Sequence, residues 1–400
     1  MKKAWPRRTL GEICQFRGGG TPSKSVARYW VGDIPWVSPK DMKSEIVSDS
    51  IDHISQEAID GSATSLIQKD SVLMVVRSGI LARTVPIAIA GRDLTINQDL
   101  KALRPDRAVR PRFLFYLLQS KMDILLAMVT RGATVHRLIT EQIRSLDFGL
   151  PPLSEQDRIV DLLDEAIASL ATAQAHAEKN LQNSLALFEG YLQSVFTQRG
   201  KGWVETRLGD VCGFVRGPFG GSLKKSIFVP HGFAVYEQQH AIGNQFSDVR
   251  YFVGEAKFKE MKRFELLPND LIMSCSGTMG RVAIVPSGIQ PGIINQALLK
   301  LTPTTKVLNA FLKFWMESEA FQEELKEYSG GAAIQNVASV KVLKEIEIPL
   351  PSIKEQKQVV EDIESFLAEA QRLEGIYRQK QSALVDLKKS LLHQAFTGAL

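Results

Sequence analysis

Two stretches of this chain carry apolar residues at steps of four and three, alternating in the second. The first runs Ile159, Leu163, Ala166, Leu170, Ala173, Ala177, Leu181, Leu185, Phe188, Leu192 and Val195. The second runs Val359, Ile363, Phe366, Ala370, Leu373 and Tyr377, then Leu384, Leu387 and Leu391, with Lys380 as its polar interruption. This is the period of a heptad seam, and the alanine-rich middle of the first stripe admits a close neighbour. Neither glycine nor proline interrupts Ser154 to Glu189. At 1.5 Å per residue each helix is roughly 60 Å long. A narrow stripe on so long a polar helix cannot be buried against a small domain alone, so each helix is the expected partner of the other. Ser154 with Asp157 resembles a capping box after Pro151–Pro152, and Ser352 with Glu355 forms the S-x-x-E version.

Elsewhere the pattern is shorter and mixed. "SVLMVV", "VPIAIAG", "DLIMS" and "RVAIVP" read as strands, whereas "PRFLFYLLQSKMDILLAM" and "LNAFLKFWMESEAFQEELKEY" read as amphipathic helices.

These elements recur. "WPRRTLGEIC" at Trp5–Cys14 returns as "WVETRLGDVC" at Trp203–Cys212, and "TINQDL" at Thr95–Leu100 as "IINQAL" at Ile293–Leu298, both offset by 198. "RGATVHRL" at 131–138 returns as "GGAAIQNV" at 330–337, offset 199, and "LPPLSEQ" at 150–156 as "LPSIKEQ" at 350–356, offset 200. From there both copies run without a gap to "LQSVFT" and "LHQAFT". The chain is a duplication. It divides into a globular domain at 1–151, a helix at 152–199, a second domain at 200–350 and a second helix at 351–400. The expected fold is α+β: two tandem mixed α/β domains, each followed by a long helix, the two helices forming an antiparallel coiled coil. Cyclic order further places Met1 near Leu400.

Composition narrows the class. With 44% hydrophobic and 23% charged residues and a formal net charge of +5, the chain reads as an ordinary soluble protein able to meet nucleic acid without being committed to it. Cys14, Cys212 and Cys275 form no C-x-x-C pair and read as small buried thiols. "MKKAWPRR" lacks the apolar core of a signal peptide, and no apolar run approaches a membrane span, so a cytoplasmic location is expected.

The stretch "FRGGGTPSKS" at 16–25 falls one residue short of a phosphate-binding loop, with Ser23 where the second glycine belongs. "VARYWVGDIPWV" after it does not start a helix. Its counterpart "GFVRGPFGGSLKK" has another spacing but again an arginine, a glycine cluster and a lysine. A backbone able to approach closely, flanked by positive charge, suits phosphate or a DNA groove. No methyltransferase, Walker, zinc-ligand or nucleophile-elbow signature occurs, and the six histidines are scattered. No cofactor is expected.

Taken together, "GGTPSK…YWVGDIPWVSPKDM", "INQDL", "GPFGGSLKK", and above all "LPPLSEQDRIV" and "LPSIKEQKQVV" heading long helices, resemble the specificity subunit of Type I restriction-modification systems. The resemblance covers essentially the whole chain. It implies two target recognition domains, each reading one half of a split, asymmetric site on double-stranded DNA, and two helices pairing antiparallel as a spacer. It implies docking by methyltransferase subunits, two per chain, and by restriction (translocase-nuclease) subunits, the chain itself being non-catalytic. The unlike glycine loops imply unlike half-sites.

Candidate DNA contacts in the first domain are Arg17, Thr21, Lys24, Arg77, Arg83, His136 and Arg137. In the second they are Arg216, Lys224, Lys225, Ser276, Thr278 and Arg281, with Gln335 and Asn336 beside the second glycine turn. Asn97–Gln98 and Asn295–Gln296 can reach adenine edges or equally satisfy buried backbone. Glu155–Gln156 and Glu355–Gln356 read as first-turn residues suited to the helix dipole. A stand-alone DNA-acting enzyme and a purely structural coiled-coil protein remain the alternatives.

Overall fold

The computed structural model describes residues 5–219, 221–327 and 339–397. The chain forms two compact units. One comprises the residues up to Ala177 together with those from Gln379 onward, and the other comprises Glu178–Arg378.

In the first unit a five-stranded sheet runs in the order Cys14–Gly18, Leu100–Pro105, Val72–Val75, Ile87–Ala90, Ile46–Val47. A four-stranded sheet follows the order Asp52–Ile54, Ile34–Val37, Leu94–Ile96, Leu66–Ile67. Val72–Val75 is buried on both faces, which explains its unbroken apolar run. The second unit repeats the plan: Cys212–Arg216, Leu298–Pro303, Leu271–Ser274, Val282–Ile284 in one sheet. Its other sheet is Phe228–Val229, Phe252–Val253, Phe233–Tyr236, Gly292–Ile294. Each unit is closed by a ribbon in which its opening strand pairs antiparallel with the strand leading into a long helix. These ribbons are Arg7–Thr9 with Asp147–Gly149, and Val204–Arg207 with Glu347–Leu350.

Both amphipathic helices are broken where the sequence suggested one piece. Pro111–Ser120 gives way to Met122–Ala127, and Asn309–Glu317 to Glu319–Glu327. At the second break Ser318 takes extended backbone angles and its hydroxyl donates to the Trp315 carbonyl at 2.7 Å. The change of direction lets Trp315 and Phe321 both reach the core, 4.8 Å apart.

The long helices span Leu153–Gln198 and Ile353–Thr397. In the first unit Ile159, Leu163 and Ile167, near the start of one, share a core with Leu391, Leu392, Ala395 and Phe396, near the end of the other. In the second unit Leu192 and Phe196, near the end of the first helix, meet Val359 and Ile363 at the start of the second, and Tyr191 stacks on Phe366 at 4.4 Å. Start meets end in both units, so the helices run antiparallel. Each fully buried aliphatic or aromatic side chain in these contacts contributes about 1.5–3 kcal/mol.

In both long helices the buried stripe passes through polar residues that the apolar reading stepped around. Ser184 is buried and Leu185 is 48% exposed. Leu387 is likewise 47% exposed, while neighbouring Lys388 is half-buried. Ser184 tolerates burial because its hydroxyl donates to the Leu181 carbonyl at 2.7 Å.

The first capping box is also corrected. The helix begins at Leu153, which puts Ser154 inside it, and Asp157 instead takes a two-pronged bond from Arg110 at 2.8 and 3.0 Å. In the second copy Ser352 does cap, its hydroxyl accepting the Glu355 N–H at 3.3 Å. Pro152, offset by 200, occupies the corresponding place in the first copy.

The three cysteines are buried, and burial pushes each thiol up to about 12. No helix among the described residues is long and apolar enough to cross a membrane. Met1 and Leu400 lie outside the described residues. Trp5, however, packs against the cluster that holds Leu392 and Ala395.

Candidate nucleic-acid interface

The glycine segments are shaped first by their own chain. A Cβ on Gly19 would lie 2.0 Å from the Ile96 carbonyl oxygen, and one on Gly217 would lie 1.9 Å from that of Asn295. In both units the glycine therefore lets its strand end press against the "INQ" turn, a close approach made to protein. The asparagines hold that turn. Asn97 Oδ1 accepts the Asp99 N–H at 2.9 Å, and Asn295 Oδ1 accepts the Ala297 N–H at 3.0 Å. Both asparagines thereby satisfy backbone within the turn. Gln98 and Gln296 beside them are exposed, and Gln98 accepts the Thr21 hydroxyl.

Around this turn in the first unit lies a cleft of about 760 Å³, lined by Arg77, Asp99, Arg131, Arg137 and the backbone of Gly79 and Gly132. Two short strands build its wall: Arg77–Ser78 pairs antiparallel with His136–Arg137, with Arg77 directly opposite Arg137. Like charges so placed are mutually destabilising, and an anion between them relieves the repulsion. Arg77 Nε donates to Asp99 Oδ1 at 2.5 Å. His136 Nδ1 accepts the Gly132 N–H at 3.2 Å, which braces the loop.

Folding thus brings Arg77, His136 and Arg137 together and distributes the other candidates. Arg17 is exposed on the strand beside Ala102, near Gln68 and Arg104. Lys24 lies over the Trp30 ring at 5.9 Å, and Arg83 is exposed after the turn at Gly79–Ala82. Sequence reasoning passed over Arg131 and Asp99. Asp99 had a visible signal, since the repeat puts Ala297 in its place.

In the second unit the turn after Leu271–Ser274 has positive φ at Gly277 (65°) and Gly280 (75°), a conformation suited to glycine. Thr278 and Arg281 are exposed on this turn, and the Ser276 hydroxyl is 3.4 Å from Gln238 Oε1. Arg216 points toward the buried Cys275 thiol and lies 5.9 Å over the Phe219 ring. Lys224 and Lys225 are exposed at a short 3-10 turn. Gln335 and Asn336 lie outside the described residues.

The glutamines of the repeated E-Q pairs are anchors. Gln156 is fully buried; it accepts the Arg110 N–H at 2.9 Å and donates to the Ala108 and Pro151 carbonyls at 2.8 and 2.9 Å. Gln356 repeats this with the Leu308 N–H at 2.8 Å and the Lys306 and Pro351 carbonyls at 3.0 and 2.9 Å. Both spend their amide groups on the protein's own backbone. Among the described residues no cluster of histidine, cysteine and acidic side chains is arranged to hold a metal ion. The arginine-lined cleft offers N–H donors and positive charge, the chemistry that meets phosphate oxygens and base edges.

Comparison with known proteins agrees with this chemistry. The family model described as "Type I restriction modification DNA specificity domain" matches twice, at residues 2–181 and 200–378. The chain is 40% identical over 160 residues to the EcoR124I/EcoR124II specificity subunit of Escherichia coli, a stretch spanning 40% of each chain. It is 22% identical over 417 residues to the MjaVIII specificity subunit of Methanocaldococcus jannaschii, covering 99% of this chain and 93% of that one. Among solved structures, the HsdS subunit from Thermoanaerobacter tengcongensis shares the fold at TM-score 0.65 and 19% identity, covering 100% of this chain and 98% of that one. A chain from a structure of type I R-M system assembly shares it at TM-score 0.79 and 19% identity, covering 100% and 99%. The chain belongs to the Type I restriction-modification DNA specificity family, carries the family's domain twice, and is a DNA-recognising specificity subunit rather than a catalytic one.

Proposed function

We infer that each domain reads one half of a bipartite, asymmetric site on double-stranded DNA, and that the paired helices set the spacing between the halves. The observation that carries this reading is the first unit's cleft, where Arg77, Arg131 and Arg137 converge beside two glycines. The recognition domains are 1–151 and 200–350, and the spacer helices 152–199 and 351–400. The helices dock methyltransferase subunits, two per chain, and the assembled complex takes up restriction subunits in the cytoplasm.

Arg17, Lys24, Arg83, Arg131 and Arg137 serve as backbone contacts in the first domain. Arg216, Lys224, Lys225 and Arg281 do so in the second, with Ser276 and Thr278 nearer the bases; Gln335 and Asn336 are further candidate base contacts. Thr21 and His136 support the first reading surface. Where the two loops differ, "GGGTPSK" against "GPFGGSLKK", the half-sites differ.

The test is co-expression with a cognate methyltransferase subunit, followed by sequencing of methylated sites. A single bipartite motif with unlike halves is expected. A continuous motif, a symmetric one, or methylation without sequence preference would overturn the reading.

A further inference from the structure

We propose that Arg77 is the base-reading residue of the first domain, selecting guanine in the major groove, and that Asp99 is the residue that positions it. The proposal rests on the reading that this domain binds duplex DNA.

The three arginines of the cleft are not equivalent. Arg131 and Arg137 have no side-chain partner among the described residues, so each presents a full positive charge suited to phosphate. Arg77 is paired: its Nε donates to Asp99 Oδ1 at 2.5 Å. The carboxylate offsets its charge and repels a phosphate, but not the neutral acceptor edge of a guanine. The remaining guanidinium nitrogens, Nη1 and Nη2, have no partner among the described residues and form the fork that matches guanine O6 and N7.

Asp99 is itself fixed on every side. Its Oδ2 accepts Asn97 Nδ2 at 3.1 Å, and its N–H donates to Asn97 Oδ1 at 2.9 Å. Its carbonyl accepts the N–H groups of Val76 and Arg77 at 2.8 and 3.1 Å. The carboxylate is thereby tied to the strand that carries the arginine it orients. A flexible arginine loses rotamer freedom on reaching a base; one already held loses less, and only in one direction.

The second unit lacks this device. Cys275 N–H donates to the Ala297 carbonyl at 2.9 Å, just as Val76 donates to Asp99, which equates Asp99 with Ala297 and Arg77 with Ser276. Neither counterpart carries charge. The arginine–aspartate reader therefore belongs to one half-site alone.

The experiment uses the complex with its methyltransferase subunit and a duplex library randomised in both half-sites, read at several salt concentrations. Arg77→Ala should relax guanine preference at one position of one half-site by about 5- to 150-fold, leaving the other half unchanged. Arg77→Lys keeps the charge but loses the fork, and should relax the same position. Asp99→Ala should relax it too, while steepening the salt slope by up to about 0.9 as the freed arginine turns to phosphate. Asp99→Asn keeps an acceptor for Nε but sets its own NH2 against the Asn97 amide donor, and should recover the guanine preference only in part. Weakening by Arg77→Lys or Arg77→Ala that is equal across all sequences, or a shift in both half-sites, would overturn the proposal. A wild-type complex with no site preference would instead overturn the DNA-reading function beneath it.

Discussion

Gln156 accepts the backbone N–H of Arg110 at 2.9 Å, and through it the first long helix is fastened to the loop that precedes Pro111–Ser120. Gln356 makes the same bond to Leu308. With two donors and one acceptor all engaged, each amide is satisfied inside a dry contact, and truncation leaves several buried groups without partners. Such a group costs about 1–3 kcal/mol. Gln156→Ala should speed amide hydrogen exchange at Arg110, and Gln356→Ala at Leu308, each without affecting the other. Gln156→Glu, which cannot donate to the two carbonyls, should not restore protection. Unchanged exchange in both alanine variants would refute the anchoring role.

Gly19 and Gly217 should resist substitution. Gly19→Ala or Gly217→Ala drives a methyl group into backbone carbonyls and should destabilise its own unit by about 1–3 kcal/mol. Gly190 has nothing within 4 Å of its would-be Cβ and sits within a helix. Gly190→Ala should raise stability by about 0.5–1 kcal/mol. Denaturant melts of the three variants decide the matter by sign alone.

The ring pair Tyr191–Phe366, stacked at an interplanar angle of 14°, joins the helices within the second unit. A double-mutant cycle with Tyr191→Leu and Phe366→Leu should return a coupling of about 0.5–1.5 kcal/mol. Additive single-mutant effects would mean that the rings merely adjoin.

Burial raises Cys14, Cys212 and Cys275 from 9.0 to about 12. A thiol whose folded pKa lies above its unfolded value contributes stability that is complete below about pH 9. That contribution is lost as pH rises toward 12, because the unfolded chain ionises first. Unfolding midpoints should therefore fall across pH 9–12, and replacing the cysteines with alanine should flatten the fall. At pH 8 the native protein should leave all three thiols unalkylated until denaturant is added.

Lys224 and Lys225, exposed beside the second glycine segment, test the backbone-contact part of the function. Changing both to alanine should weaken DNA binding similarly across sequences. The salt slope should drop by about 0.9 for each phosphate that a lysine no longer neutralises. Titrations of the complex at several salt concentrations measure both quantities. A sequence-selective weakening would make these lysines base contacts instead.

Duplication, the two long helices and their pairing are legible in the linear chain because they rest on period and copying. A heptad stripe reports which face is dry wherever the helix lies, and an offset near 200 reports equivalence of position. The strand sets were legible for the same reason, since "SVLMVV" can be apolar throughout only if both faces are covered. Capping at Ser154 and the course of the seam at Leu185 and Leu387 were not, because each depends on where a helix starts and how its turns drift against a partner.

The site was the least legible part. Arg77 and Arg137 are sixty residues apart and become neighbours only through strand register, and Asp99 acquires its role only when the turn held by Asn97 brings its carboxylate to Arg77. Gln156, read as a residue for the helix dipole, proved to be a buried clamp. Local pattern encodes burial and periodicity, which are properties of a segment. A binding cleft is a property of segments distant in sequence, and its members share no signal until the backbone has closed around them.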